Sequence, residues 1–221
     1  MGLDMYLEKV KRIEGVTPKE LVILGQYFDY LDRPIERKSL SMKEWCNCNI
    51  EDVNLEMAEI YKAEYIHRYS LCDKEKEYGY KTIFQPIAQW RKANQIHKWF
   101  VDNIQDGNDD CGIYEVSKES LCNLLDICKQ VINETKLIKG KIQNGYTYKD
   151  GKLVPNWEEG ELIEDSSVAE LLLPTMEGFF FGSTGYDQWY LADINYTITT
   201  LEKVVNETDF KHEIVMYSSS W

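Results

Sequence analysis

Apolar and polar residues alternate at the start of the chain, where Leu3, Met5 and Leu7 interleave with Asp4, Tyr6 and Glu8. A period of two predicts a strand with one buried face. Thr17-Pro18-Lys19-Glu20 then offers an N-cap, a proline at the first helical position and a capping-box glutamate. A helix to about Leu31 follows, carrying Leu21, Val22, Leu24, Tyr27, Phe28 and Leu31. From 32 to 80 the pattern weakens, and the stretch reads as an insertion with a helix near Val53–Tyr69. Tyr80–Phe84 is a short strand candidate, and Pro86 opens a helix that Gly107 closes. On that helix Ile87, Trp90, Asn94, His97, Val101 and Ile104 fall on one stripe.

Ser117 caps a further helix with the stripe Leu121, Leu124, Leu125, Cys128, Val131 and Ile132. Residues 137–165 are polar and acidic and hold Asn144-Gly145 and Asp150-Gly151, both hairpin-turn dipeptides, so an exposed loop or hairpin is expected. A short helix, Val168–Leu173, stops at Pro174, and Gly178–Phe181 reads as a buried strand or tight turn. Gly182-Ser183-Thr184-Gly185 leads into a helix from about Tyr186 to Asn206, with Thr184 and Asp187 at N-cap spacing. Phe210, His212, Ile214 and Met216 alternate in a last strand. Strands at both ends with helices between them predict a single α+β domain, its terminal strands in one small sheet packed with several helices.

The 221 residues are 43% hydrophobic and 13% aromatic, which excludes a disordered or fibrous chain. The net charge of −13 repels nucleic-acid backbones and anionic membranes and suits a basic protein partner. No window approaches the length of a membrane span, and no signal peptide is visible. Cytoplasmic placement, with six reduced cysteines, is the expectation.

Three places invite chemistry. Asn94 and His97 are polar neighbours on an apolar stripe, and Arg91 and Lys98 border it with positive charge. Buried without partners such groups are costly, so they bond within the protein or to a ligand. Gly182, Ser183, Thr184 and Gly185 before a helix could cradle an anion, while Tyr186, Trp189 and Tyr190 could stack on a base or belong to the core. Asp109 and Asp110 lie in an acidic turn beside Cys111. A metal-dependent phosphoester hydrolase would use His97 as base, Arg91 as clamp and one of these aspartates as metal ligand. Cys111 with His97 as a nucleophile and base, and zinc on Cys46, Cys48, Cys72 and His67, are weaker patterns. No metal or cofactor is expected. Walker, GxGxxG, GxSxG and HExxH signatures are absent.

The opening MGLDMYL, the block Trp90–Phe100, Asp109-Asp110-Cys111-Gly112, and Leu173-Pro174 through Gly178–Thr184 to Trp189-Tyr190 together resemble an uncharacterised family of phage and prophage proteins. The resemblance implies an accessory protein of a mobile element, working in the cytoplasm of the host bacterium, with countering of host defences as its expected setting. Its expected action is to bind a phosphate-bearing small molecule or nucleotide through Arg91, Asn94, His97, Lys98, Gly182, Ser183, Thr184, Tyr186 and Trp189. The alternative is an acidic inhibitor that docks on a basic host effector in the manner of a DNA mimic.

Overall fold

The computed structural model describes residues 2–32, 41–46, 49–62, 66–68, 80–178 and 181–221. The order of elements is β1 (Asp4–Lys11), α1 (Pro18–Asp32), α2 (Met42–Cys46), α3 (Leu55–Lys62), β2 (Ile66–Arg68), β3 (Tyr80–Thr82), β4 (Gln85–Arg91), α4 (Asn94–Asn103), β5 (Ile113–Val116), α5 (Lys118–Glu134), β6 (Leu137–Lys149), β7 (Lys152–Ile163), α6 (Ser167–Leu172), α7 (Gln188–Glu207) and β8 (Glu213–Ser220). Helices and strands intermix in an α+β fold. The terminal strands β1 and β8 are neighbours in a sheet ordered β4-β1-β8-β5, as the alternation at both chain ends predicts.

The chain forms two compact units, whose boundaries fall inside β1, β4 and β8 and between α7 and β8. The unit of Glu8–Ile87 and Asp209–Met216 holds α1. The Thr17 amide donates to Glu20 Oε2 at 2.8 Å and the Glu20 amide to Thr17 Oγ1 at 3.3 Å, the reciprocal box that starts the helix. Leu21, Leu24 and Phe28 of α1 are buried. Here Tyr61 donates to the Lys11 carbonyl at 2.8 Å, and Lys9 pairs with Glu213 at 2.7 Å.

The other unit comprises Met1–Leu7, Ala88–Thr208 and Tyr217–Trp221. Ser117 accepts from the Ser120 amide at 3.0 Å and starts α5, which buries Leu121, Leu124, Leu125, Cys128 and Val131. Burial pushes the Cys128 thiol up to about 12, as expected of an inert core cysteine. β6 and β7 form a separate antiparallel hairpin, registered from Leu137↔Ile163 to Lys149↔Lys152. Its turn is Asp150-Gly151, both at positive φ (49° and 79°), the conformation that matches strand twist in two-residue hairpins.

Five sequence expectations need correction. The helix expected from Pro86 to Gly107 is instead β4 followed by α4. Ala88 and Trp90 are buried two apart, the strand period, and Lys92 at φ 61° turns the chain before the helix. The periodicity of Ile87 and Trp90 with α4 was coincidental. Asn144-Gly145 is not a turn, because it lies at a register shift within β6. α7 begins at Gln188 with Asp187, not Thr184, as its cap. β8 starts only at Glu213; Phe210 and His212 lie in the preceding turn, where the His212 amide donates to the Asp209 carbonyl at 2.9 Å. Near Val53–Tyr69 the helix covers only Leu55–Lys62, and 66–68 is strand.

Leu124 is fully buried. Leu124→Ala is expected to lower unfolding free energy by about 2–5 kcal/mol, read by urea denaturation.

Candidate functional site

α4 is buried on nearly every side: Asn94, Gln95, Ile96, His97, Trp99, Phe100 and Val101 are all inaccessible. Its polar side chains therefore need partners at fixed positions. Asn94 finds three. Its amide nitrogen donates to the Phe181 carbonyl at 3.2 Å and the Ser183 carbonyl at 2.8 Å, and its oxygen accepts from the Met176 amide at 3.0 Å. One side chain thus fixes Met176 together with Phe181 and Ser183. Gln95 reaches α7, donating to the Tyr190 carbonyl at 3.5 Å and to Asp193 Oδ2 at 3.3 Å.

His97, fully buried, lies between Asp109 and Tyr217. Its Nε2 is 3.1 Å from Asp109 Oδ2 and its Nδ1 2.7 Å from the Tyr217 hydroxyl. A carboxylate only accepts, so Nε2 carries a proton toward Asp109. Burial holds the Tyr217 phenol well above its usual range, with the Asp109 charge adding to the effect. The phenol therefore stays protonated and donates to Nδ1 when the ring is neutral. Tyr217 also stacks on Phe100, with centroids 3.9 Å apart, and the Trp221 indole donates to Asp109 Oδ1 at 3.1 Å.

The remaining expected ligand residues lie at or near the surface. The Arg91 side chain is 66% exposed and its Nε is 3.9 Å from Asp4. Lys98 pairs with Asp102 at 2.8 Å. Gly182, Ser183 and Thr184 are exposed; Ser183 Oγ accepts from the Gly185 amide, and the Thr184 carbonyl accepts from Thr175. Gly182, at φ 98°, approaches Lys92 so closely that an added Cβ would lie 3.1 Å from the Lys92 carbonyl oxygen. Tyr186 accepts from the Thr175 amide through its hydroxyl and packs on Tyr190, while Trp189 is half exposed. The first amides of α7 do not await an anion: Asp187 Oδ1 already accepts from Trp189 and Tyr190 at 2.8 and 3.2 Å.

The structure thus brings Asn94 together with the carbonyls of Phe181 and Ser183, and His97 with Asp109. It leaves Arg91, Lys98 and Trp189 in separate local contacts. Both ring nitrogens of His97 are occupied, so it does not hold the Cys111 thiol. That thiol is pushed up, chiefly by burial; hydrogen bonding to the Trp221 backbone and to Ser219 opposes this, and the Asp109 and Asp110 charges add to it. Such a thiol is a poor nucleophile. Among the described residues no group of three or more His, Cys, Asp or Glu is arranged to hold a metal. Cys48 and Cys72 of the zinc pattern, with Phe179 and Phe180, lie outside the described residues.

A second surface escaped the sequence reading. On the hairpin Tyr146, Tyr148, Leu153 and Trp157 are 61%, 71%, 66% and 61% exposed. The sequence signal was available in the apolar residues alternating on both sides of Asp150-Gly151. No family model, curated protein or solved structure matches the chain.

Two predictions follow from the polar contacts. Asn94→Ala should lower stability by about 2–4 kcal/mol by leaving one amide and two carbonyls without their partner. Asn94→Asp should be worse, since a carboxylate would face two carbonyl oxygens; urea unfolding reads both. Asp193 is raised to about 6, mainly by burial, with the Asp187 charge adding and the Gln95 hydrogen bond opposing. Between about pH 4 and 6 the folded chain keeps a proton there that the unfolded chain releases. Stability attributable to this group therefore falls as pH rises through that window and is level above it. The difference in unfolding free energy between wild type and Asp193→Asn, measured across pH 3.5–7.5, should shift against wild type through the window.

Proposed function

We propose that this chain acts by binding protein: an accessory protein, in the setting of a phage or other mobile element, that docks on a basic protein of the host cell. The observation that carries this reading is the position of its excess negative charge. Carboxylates stand exposed at Asp102, Asp106, Asp110, Glu119, Asp126 and Glu134, from the end of α4 to the end of α5. Those of α5 lie on the side opposite its buried Leu121–Val131 stripe. An acidic surface of this kind speeds encounter with a basic partner and repels nucleic acid. Among the described residues no helix is long and apolar enough to cross a membrane.

The reading as a binder of a phosphate-bearing small molecule has less support. Asn94 and His97 are engaged within the protein, and Asp187 occupies the helix start. A charge-reversed chain with Glu119→Lys, Asp126→Lys and Glu134→Lys should fold normally, since all three positions are exposed. Tagged wild type expressed in bacterial cells is expected to retain proteins of net positive charge. They should be released at about 0.5–1 M salt and lost from the reversed chain. Native mass spectrometry against a nucleotide pool, with and without magnesium, supplies the other arm. A retained or consumed nucleotide, with no basic protein retained, would overturn the docking reading.

A further inference from the structure

The hairpin offers a surface of different chemistry. Side chains alternate faces along a strand, and directly paired residues share a face. By register, Tyr146 stands opposite Pro155, Tyr148 opposite Leu153, and Gln143 opposite Trp157. The same face continues toward the base of the hairpin as Lys141 opposite Glu159 and Lys139 opposite Glu161. The other face meets α7. Ile142 is buried there, and a Cβ on Gly160 would lie 3.2 Å from Gln188 Oε1. The aromatic face is thus turned away from α7. The distal half is uncovered on both sides, with Val154 on the reverse face also 41% exposed. Two-stranded ribbons in water are marginal without a covering layer.

We propose that the aromatic face is covered by the same face of a second copy, the two hairpins lying side by side with their tips at one end. The charge pattern selects this occupant and this orientation. A two-fold axis along the strands, between the two ribbons, lays β6 of each copy over β7 of the other. Lys139 and Lys141 then face the second copy's Glu161 and Glu159. An axis across the strands at the level of the aromatic residues would run the copies in opposite directions and carry the lysines and glutamates of each past the tip of the other, where they meet no opposite charge.

The area also fits. With aromatic side chains of about 150–250 Å² each, the observed exposures leave roughly 400–500 Å² of ring and leucine surface per copy. Two such faces, with Pro155 and the lysine and glutamate stems, approach the ~1,000 Å² at which a specific interface becomes tenable. The association is accordingly weak, with a Kd of about 1–100 μM. The inference rests on the protein-binding reading in assigning the exposed aromatics to an interface, and it leaves the acidic stripe of α5 free for a basic partner.

Sedimentation equilibrium on the full chain tests it. Wild type should show a concentration-dependent dimer. Tyr148→Glu combined with Trp157→Glu should weaken it at least tenfold with an unchanged thermal midpoint, because both side chains are exposed. Lys139→Glu with Lys141→Glu, and separately Glu159→Lys with Glu161→Lys, should each weaken self-association, and mixing these two variants should restore a dimer. Carbodiimide treatment of mixed ¹⁴N and ¹⁵N chains should join Lys139 or Lys141 of one copy to Glu159 or Glu161 of the other. A monomer at every concentration, a dimer indifferent to these substitutions, or links that place the tips at opposite ends would each overturn the proposal. If a monomeric chain still retains basic proteins, self-association falls and docking stands. A dimer that retains none gives the converse.

Discussion

A helix covered on almost every side cannot leave its polar side chains unpartnered, and that constraint on α4 organises the unit around it. Asn94, Gln95 and His97 are consecutive enough to radiate in different directions, and each fixes a different part of the chain. Asn94 holds Met176, Phe181 and Ser183, Gln95 holds α7, and His97 ties the 109 turn to β8 through Tyr217. These polar side chains therefore do for Met176, Phe181 and Ser183 what ladder bonds do within a sheet.

The same geometry explains which parts of the fold were legible. Capping at Thr17 and Ser117 is local chemistry, so the starts of α1 and α5 can be read from a few residues. The leucine stripe of α5 has a single period and a single buried face. β4 misleads because its Ile87 and Trp90 happen to continue the helical phase of α4, and nothing local announces that Lys92 will adopt positive φ. Asn94 and His97 stand out as polar residues on an apolar stripe. Their partners do not, because Ser183 and Tyr217 lie 89 and 120 residues away in sequence. Only the fold decides whether such residues face a ligand or a carbonyl.

The aromatic face of the hairpin was hidden for a different reason. Along β6 that face carries the odd positions Lys139, Lys141 and Gln143, then the even positions Tyr146 and Tyr148. The register shift at Asn144-Gly145 changes the parity. A simple period of two therefore puts Tyr146 and Tyr148 on the wrong side from Lys141. Read as a turn, Asn144-Gly145 would break the strand and scatter these residues; as an irregularity within one long strand, it gathers them opposite Leu153, Pro155 and Trp157.

Charge and apolar surface then act on different scales. The net charge of −13 repels other copies and favours approach by a basic protein at separations up to a screening length, ~8 Å at physiological salt. At contact, however, what matters is the local pattern, and on the hairpin face lysines of β6 alternate in space with glutamates of β7. A ribbon with one basic and one acidic strand is complementary to itself in a single orientation. Four large exposed side chains supply attraction at short range, while the overall charge limits its strength. Such a balance yields a weak, reversible pair in place of an open-ended aggregate, because a two-fold contact uses up the same face on both copies.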